Sequence, residues 1–172
     1  MIQVPELKTQ RLVLRAHRPA EDFEKLAAMR GNPDVVRYVG GKVLSREDVF
    51  SKILRSLGHW QVRGYGYWVV CTLDGSFVGE VGFADMLRDI EPQIDGVPEA
   101  GWVLLPPAHG RGYATEAVTA AQQWLDSTLN PSRTVCLIDL GNDAPVKVAK
   151  KCGFREWCLG RYHGAPVNLF ER

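Results

Sequence analysis

The stretch Glu99–Val118, EAGWVLLPPAHGRGYATEAV, changes character twice within twenty residues. Glu99–Leu105 reads as a strand, and Pro106-Pro107 stop it, because a proline ring leaves no N–H for a sheet ladder. From Gly112 to Leu125 the period becomes helical, with Ala114, Ala117, Val118, Ala121 and Leu125 on one stripe. Between the two lies His109-Gly-Arg-Gly112, a flexible basic turn that opens a helix. A helix start carries unpaired N–H groups and the positive end of the helix dipole, and glycines let the main chain come close to an anion. The turn is therefore a candidate phosphate cradle, to which Arg111 adds charge and Thr115 a hydroxyl. The plainer alternative is a strand-to-helix turn that needs Gly112 only for its backbone angles. Two rival nucleotide motifs fail on spacing. A dinucleotide fingerprint requires a third glycine where Thr115 stands, and the near-match to a P-loop at Gly41-Lys42 continues with Val43.

Outward from this stretch the pattern continues as strand and helix. Arg11–Arg15 (RLVLR) alternates like a half-buried strand. Pro19 starts a helix with Glu21 and Asp22 in its first turn and Phe23, Leu26 and Ala27 on one face. Asn32-Pro33 begins a short turn of helix toward Tyr38, and Ser45 caps a longer helix bearing Val49, Ile53, Leu54 and Leu57. Tyr67–Leu73 and Ser76–Phe83 form a hairpin across Asp74-Gly75, followed by a polar stretch from Asp85 to Pro98. Val135–Leu140 is a buried strand, and Asp143–Cys152 a helix closed by Gly153. The tail Glu156–Phe170 holds two short strands around Gly164-Ala165. This order predicts an α/β sandwich with a mixed sheet, in a single domain over residues 1–172.

Composition excludes several classes of function. With 21 basic against 20 acidic residues, bulk charge points to neither nucleic acid nor a membrane surface. Four scattered cysteines (Cys71, Cys136, Cys152, Cys158) lack the spacing of a metal site, so no metal is expected. No signal-like start or membrane-length apolar run is visible, which points to a reduced cytoplasm.

At this point the chain resembles a family. His109-x-x-Gly112-x-Ala114 is similar to the Gln/Arg-x-x-Gly-x-Gly/Ala acyl-CoA loop of the GNAT N-acetyltransferases. Glu99–Leu104, the two prolines and Gly110–Ala117 resemble the RimJ/RimL branch, which includes ribosomal-protein N-terminal acetyltransferases. So do Leu7–Arg15 and the pairing of Asn142 with Gly153-Phe154, and the resemblance runs from about Leu7 to Phe170. It implies an α/β (α+β) GNAT fold, with a mixed central sheet of six to seven strands flanked by helices and splayed at the fourth and fifth strands. It also implies an enzyme that moves an acetyl group directly from acetyl-CoA, as co-substrate, to a primary amine.

The resemblance assigns roles by position. The pantetheine arm would lie along Trp102, Val103 and Leu104, and the pyrophosphate on the turn His109, Gly110, Arg111, Gly112, Tyr113, Ala114 and Thr115. Asn142 would meet the pantetheine or the leaving sulfur, or else cap its helix. Lys147, Lys150 and Lys151 could meet the 3′-phosphate, against the alternative of a solvated helix face. Glu99 is the candidate base that takes the amine's proton, against a surface glutamate closing a loop. A backbone amide near Val103–Leu104 would receive the oxyanion. The usual acidic side chains are absent, since Ala149 and Pro145 occupy those positions, which leaves solvent with Asn142, Tyr113 or Cys152. Acceptor choice would fall to Asn32–Tyr38, Tyr65, Tyr67, Trp68 and an acidic rim of Asp85, Asp89, Glu91, Asp95 and Glu99, which would attract a cationic acceptor such as a peptide N-terminus or a polyamine, against the alternative of a solvated polar loop. The alternatives are an acyl-CoA sensor or scaffold without turnover, and an unrelated nucleotide enzyme sharing only the helix-terminus site. The branch contains monomers and homodimers.

Overall fold

The computed structural model, which describes residues 3–37 and 39–172, joins the period-two stretches into a nine-stranded sheet. The strands are β1 Leu7–Lys8, β2 Leu12–Arg15, β3 Tyr67–Thr72, β4 Phe77–Ala84, β5 Ile90–Glu91, β6 Glu99–Leu104, β7 Val135–Asp139, β8 Arg155–Tyr162 and β9 Ala165–Glu171. Their spatial order is β1-β2-β3-β4-β6-β7-β9-β8-β5. The helices are α1 Pro19–Arg30, α2 Pro33–Val36, α3 Arg46–Arg63, α4 Tyr113–Thr128 and α5 Asp143–Lys151. Seven strands correspond to the six to seven expected. The two extra ones, β1 and β5, are two residues long and too short to show a period. β5 lies inside the stretch read as polar loop, where Ile90 pairs with Tyr162 of β8.

Local chemistry accounts for most boundaries. Ser45 and Asp48 form a reciprocal capping box at the start of α3, and Gly64 ends it in the left-handed conformation at φ 76°. Asp22, read as a favourable charge in the first turn of α1, does more. It takes both arms of Arg15 at 2.7 and 2.8 Å and the Arg18 amide at 2.7 Å, tying β2 to α1. Three readings shift. Leu54 is 52% exposed rather than on the inner stripe of α3. The β3–β4 connection is longer than two residues, because Leu73 leaves the ladder and the Thr72 amide bonds the Ser76 carbonyl. The tail strands are long, with eight and seven residues, since they pair with each other along almost their whole length.

The sheet is buried on both faces. Leu12, Trp68, Val81, Ala117, Ala121 and Leu125 pack between it and α4, whereas Leu26, Met29, Val49, Ile53 and Val103 pack on the α1–α3 face. The parallel neighbours β6 and β7 are in register only at Glu99 and Val135. Beyond that point β7 continues with β9 alone, so the sheet opens toward the carboxyl ends of β6 and β7, the fourth and fifth strands of the sequence reading.

Candidate active site

The open edge of β6 follows from strand geometry. The Leu105 amide donates to the Val78 carbonyl of β4 at 2.9 Å, and on the other side the Val135 amide of β7 donates to the Pro98 carbonyl at 3.1 Å. Backbone groups alternate sides along a strand, so Gly101 and Val103 face β4, while Ala100, Trp102 and Leu104 face the gap. Of the two residues named for an oxyanion, only Leu104 therefore offers its amide to the gap. The Leu104 carbonyl is engaged, because His109 Nε2–H donates to it at 2.9 Å and folds the turn back over the end of β6. Trp102 packs its side chain toward α4, and the Val103 side chain is buried on the opposite face.

The turn itself presents donors. Gly110 and Gly112 have φ of 73° and 78°, a region that costs a residue with a Cβ about 1–2 kcal/mol. Among the described residues, the amides of Gly110, Arg111, Gly112, Tyr113, Ala114 and Thr115 donate to no protein acceptor; the first amide of α4 with a partner is that of Glu116, bonded to the Gly112 carbonyl. Six successive free amides at the positive end of a sixteen-residue helix form an anion cradle. A clamp holds it in place. Arg11 donates to both oxygens of Glu116 and, at 2.8 Å, to the Arg111 carbonyl, while Thr9 donates to Glu116 at 2.6 Å. Burial opposes the charge on Glu116, but Thr9 and Arg11 together hold its carboxyl below the usual range. Arg11 and Arg111 also stack on the Tyr113 ring at 4.8 and 5.1 Å. Neither Arg11 nor Glu116 was singled out as a site residue, although Arg11 opens the RLVLR motif. A groove of about 550 Å³ runs from the cradle along α4, lined by Gly112, Thr115, Thr119, Lys8 and Lys151.

Other expected residues are placed as follows. Asn142 stands at the start of α5, half-buried, with no capping hydrogen bond from its side chain. Lys147 and Lys150 are exposed, and Lys150 pairs with Glu156 at 2.9 Å, so Lys151 is the α5 lysine beside the groove. Cys152 contacts Thr119 at 3.7 Å and the Thr115 carbonyl at 3.8 Å. Burial pushes its thiol up, against the Thr119 hydrogen bond. Glu99 is buried at the apex of the gap, where both its oxygens accept from Arg88 at 2.6 and 2.8 Å. Arg88 continues to the Tyr162 hydroxyl at 2.8 Å. Burial disfavours its charge, but Glu99 outweighs this and keeps the guanidinium firmly protonated. Sequence reading missed Arg88. The acidic rim is partly neutralised by this pair and by Asp85, which binds Arg63 at 2.7 Å. Tyr38, counted above among the acceptor-facing residues, lies outside the described residues.

A family model, the acetyltransferase (GNAT) domain, matches residues 11–155. The chain belongs to the GNAT acetyltransferase family. As a GNAT protein it is an enzyme of the N-acetyltransferase class. It is 28% identical to the Bacillus subtilis protein YkkB, over 97% of this chain and 95% of that one. An acetyltransferase from Agrobacterium tumefaciens superposes with a TM-score of 0.86 at 25% identity, covering 100% of this chain and 96% of that one. RimL, a ribosomal L7/L12 α-N-protein acetyltransferase solved in complex with coenzyme A, shares the fold at a TM-score of 0.79 and 17% identity, over 98% and 97% of the two chains. No helix among the described residues is long and apolar enough to cross a membrane.

Proposed function

We propose that this GNAT enzyme, a single domain over residues 1–172, is an acetyl-CoA-dependent N-acetyltransferase that passes the acetyl group directly to a primary amine on a peptide N-terminus or small molecule. The observation that carries the reading is the run of free amides from Gly110 to Thr115, beside a strand edge where the Trp102 groups and the Leu104 amide lack a neighbour. A pyrophosphate supplies the acceptors the amides lack, and an amide-rich pantetheine supplies a partner for the strand edge. Support also comes from RimL, solved with coenzyme A. Lys151 at the groove, with Lys147 nearby on α5, suits the 3′-phosphate better than Lys150, whose ammonium already has Glu156, or Lys8, which pairs with Glu6.

In this reading acetyl-CoA supplies an activated thioester, and the chain's residues do the rest. The Leu104 amide lies where the carbonyl oxygen gains charge. Glu99 takes the proton of the attacking amine directly or through one water, with Arg88 holding its carboxylate in place. Asn142, whose side chain is free of capping duty and which follows the carboxyl end of β7, is the residue assigned to the departing thiolate. Cys152 has its thiol held by Thr119 and Thr115, which leaves Asn142, Tyr113 and solvent to assist the thiolate.

Thermal denaturation tests the reading. A ligand at a hundredfold excess over its Kd stabilises a fold by about 2.7 kcal/mol, which for a chain of this size is roughly 5–10 °C in Tm. CoA and acetyl-CoA should give shifts of that size, and ATP and NAD none. An absent CoA shift refutes the proposal, while a CoA shift without thiol release on any amine favours the acyl-CoA sensor.

A further inference from the structure

On the α1–α3 face of the sheet, a cation and a hydroxyl stand without partners beside β6. Tyr67 of β3 is in register with Gly82 of β4, and Gly82 with Gly101 of β6. The two glycines leave a side-chain-free lane across the sheet, and the Tyr67 hydroxyl lies where a Cβ on Gly101 would stand. Lys52 of α3 places its ammonium 5.9 Å from the centre of the Tyr67 ring. Among the described residues, neither the Lys52 ammonium nor the Tyr67 hydroxyl has a hydrogen bond or ion pair.

The carboxylates that could have served Lys52 are engaged elsewhere. Glu80 accepts from His17 Nε2 at 2.9 Å and from Arg30 at 2.7 Å, and Glu99 accepts twice from Arg88. Arg30 also keeps a buried Nε without a partner. The charged groups that bear on Lys52 are Arg30 from α1, Arg55 from α3, Glu80 from β4 and Arg88 from the loop before β6. Burial, then Arg30, lowers its pKa to about 8, the mark of a cation short of a counter-charge. A half-buried ammonium without an anion is unfavourable, and nothing in the fold requires it.

We infer that the acceptor amine carries a carboxylate, received by the Lys52 ammonium and the Tyr67 hydroxyl on the face of the sheet opposite α4. The inference rests on the proposed acetyl transfer and names the substrate class of that same site. The CoA cradle lies at the start of α4, so an acceptor reaches β6 from the other face, along which Gly101 and Tyr67 lie. A polyamine is disfavoured there, because Lys52, Arg30 and Arg88 outnumber Glu80 and Glu99.

The test uses matched acceptors that differ only in the carboxylate: leucine against leucinamide, and glycyl-glutamyl amide against glycyl-glutaminyl amide. Binding to the CoA-saturated enzyme is read by calorimetry, and transfer by thiol release. At least one carboxylate-bearing member should bind about tenfold tighter than its neutral partner, the size of a charge-assisted hydrogen bond. Lys52→Met should abolish that preference through Kd and KM, while the CoA thermal shift persists. Lys52→Arg should retain it, and Tyr67→Phe should weaken it. A wild type that shows the CoA shift but holds neither carboxylate-bearing member more tightly overturns the inference, as does a preference that survives Lys52→Met. Loss of the CoA shift itself counts against the acetyl-transfer reading instead.

Discussion

Lys52 has no hydrogen bond or ion pair among the described residues to offset its burial in the free enzyme. Its pKa, lowered by burial to about 8, means that the unfolded chain holds a proton more tightly than the folded one. Between pH 8 and the ordinary lysine range the unfolded state binds more protons, so stability rises with pH there. Below pH 8 the cost is constant and full. Lys52→Met should therefore raise stability at pH 7 by about 1–3 kcal/mol, and the gain should shrink toward pH 10.5. Urea denaturation of both proteins across that range checks it, and a destabilised variant would refute the account. Glu99 makes the opposite case, a charge held by its partner. Glu99→Gln should depress the transfer rate at neutral pH while CoA still shifts Tm, and an unchanged rate across pH would remove Glu99 as the base. The carboxylate of Glu99 was legible in the sequence from its place at the head of β6. Its bidentate hold by Arg88 was not, because Arg88 sits in a loop without periodicity and reaches Glu99 only when that loop folds back.

At the scale of elements, α4 and the turn before it depend on the connection between β1 and β2. Arg11 and Thr9 anchor Glu116 and the Arg111 carbonyl, so the cradle's shape is set by a segment a hundred residues earlier. Gly112 stands at φ 78°, and a Cβ there would lie 3.3 Å from the Arg11 guanidinium, whereas one on Gly110 would meet nothing. Gly112→Ala should cost about 1–2 kcal/mol of stability from the left-handed backbone alone. It should also reduce the CoA-induced Tm shift, which distinguishes cradle damage from general destabilisation. Arg11→Ala should weaken CoA binding too, through a loosened turn, without removing any group that touches the ligand. The turn, its glycines and the helix after it were readable because backbone chemistry is local. The clamp was not, since a salt bridge between distant segments leaves no spacing signal.

For the whole molecule, acid is the informative stress. Burial raises the cost of charge on both Asp22 and Glu80, but Arg15 and the Arg18 amide for the first, and His17 and Arg30 for the second, hold both carboxyls below their usual range. Their stabilisation is fully present above about pH 4.5 and is lost as pH falls through and below that value. Tm should fall steeply on acidification, and Asp22→Asn should flatten the fall while lowering Tm at pH 7. A breach of this kind leaves the half-buried Arg15 guanidinium without its carboxylate and with only the Ala16 carbonyl. The same network joins β2, β4 and α1, the frame on which the acceptor face is built.

The sequence by itself determined where the backbone turns, starts a helix or alternates. Glycine conformations, caps, prolines and hydrophobic period act within a few residues, and they were enough to indicate the GNAT architecture and the place of its phosphate cradle. Tertiary structure alone decided which charges are answered and which are left over. That outcome depends on strand register and loop closure, which bring Lys52, Tyr67 and Gly101 together from α3, β3 and β6, and on the desolvation that makes an unanswered charge matter.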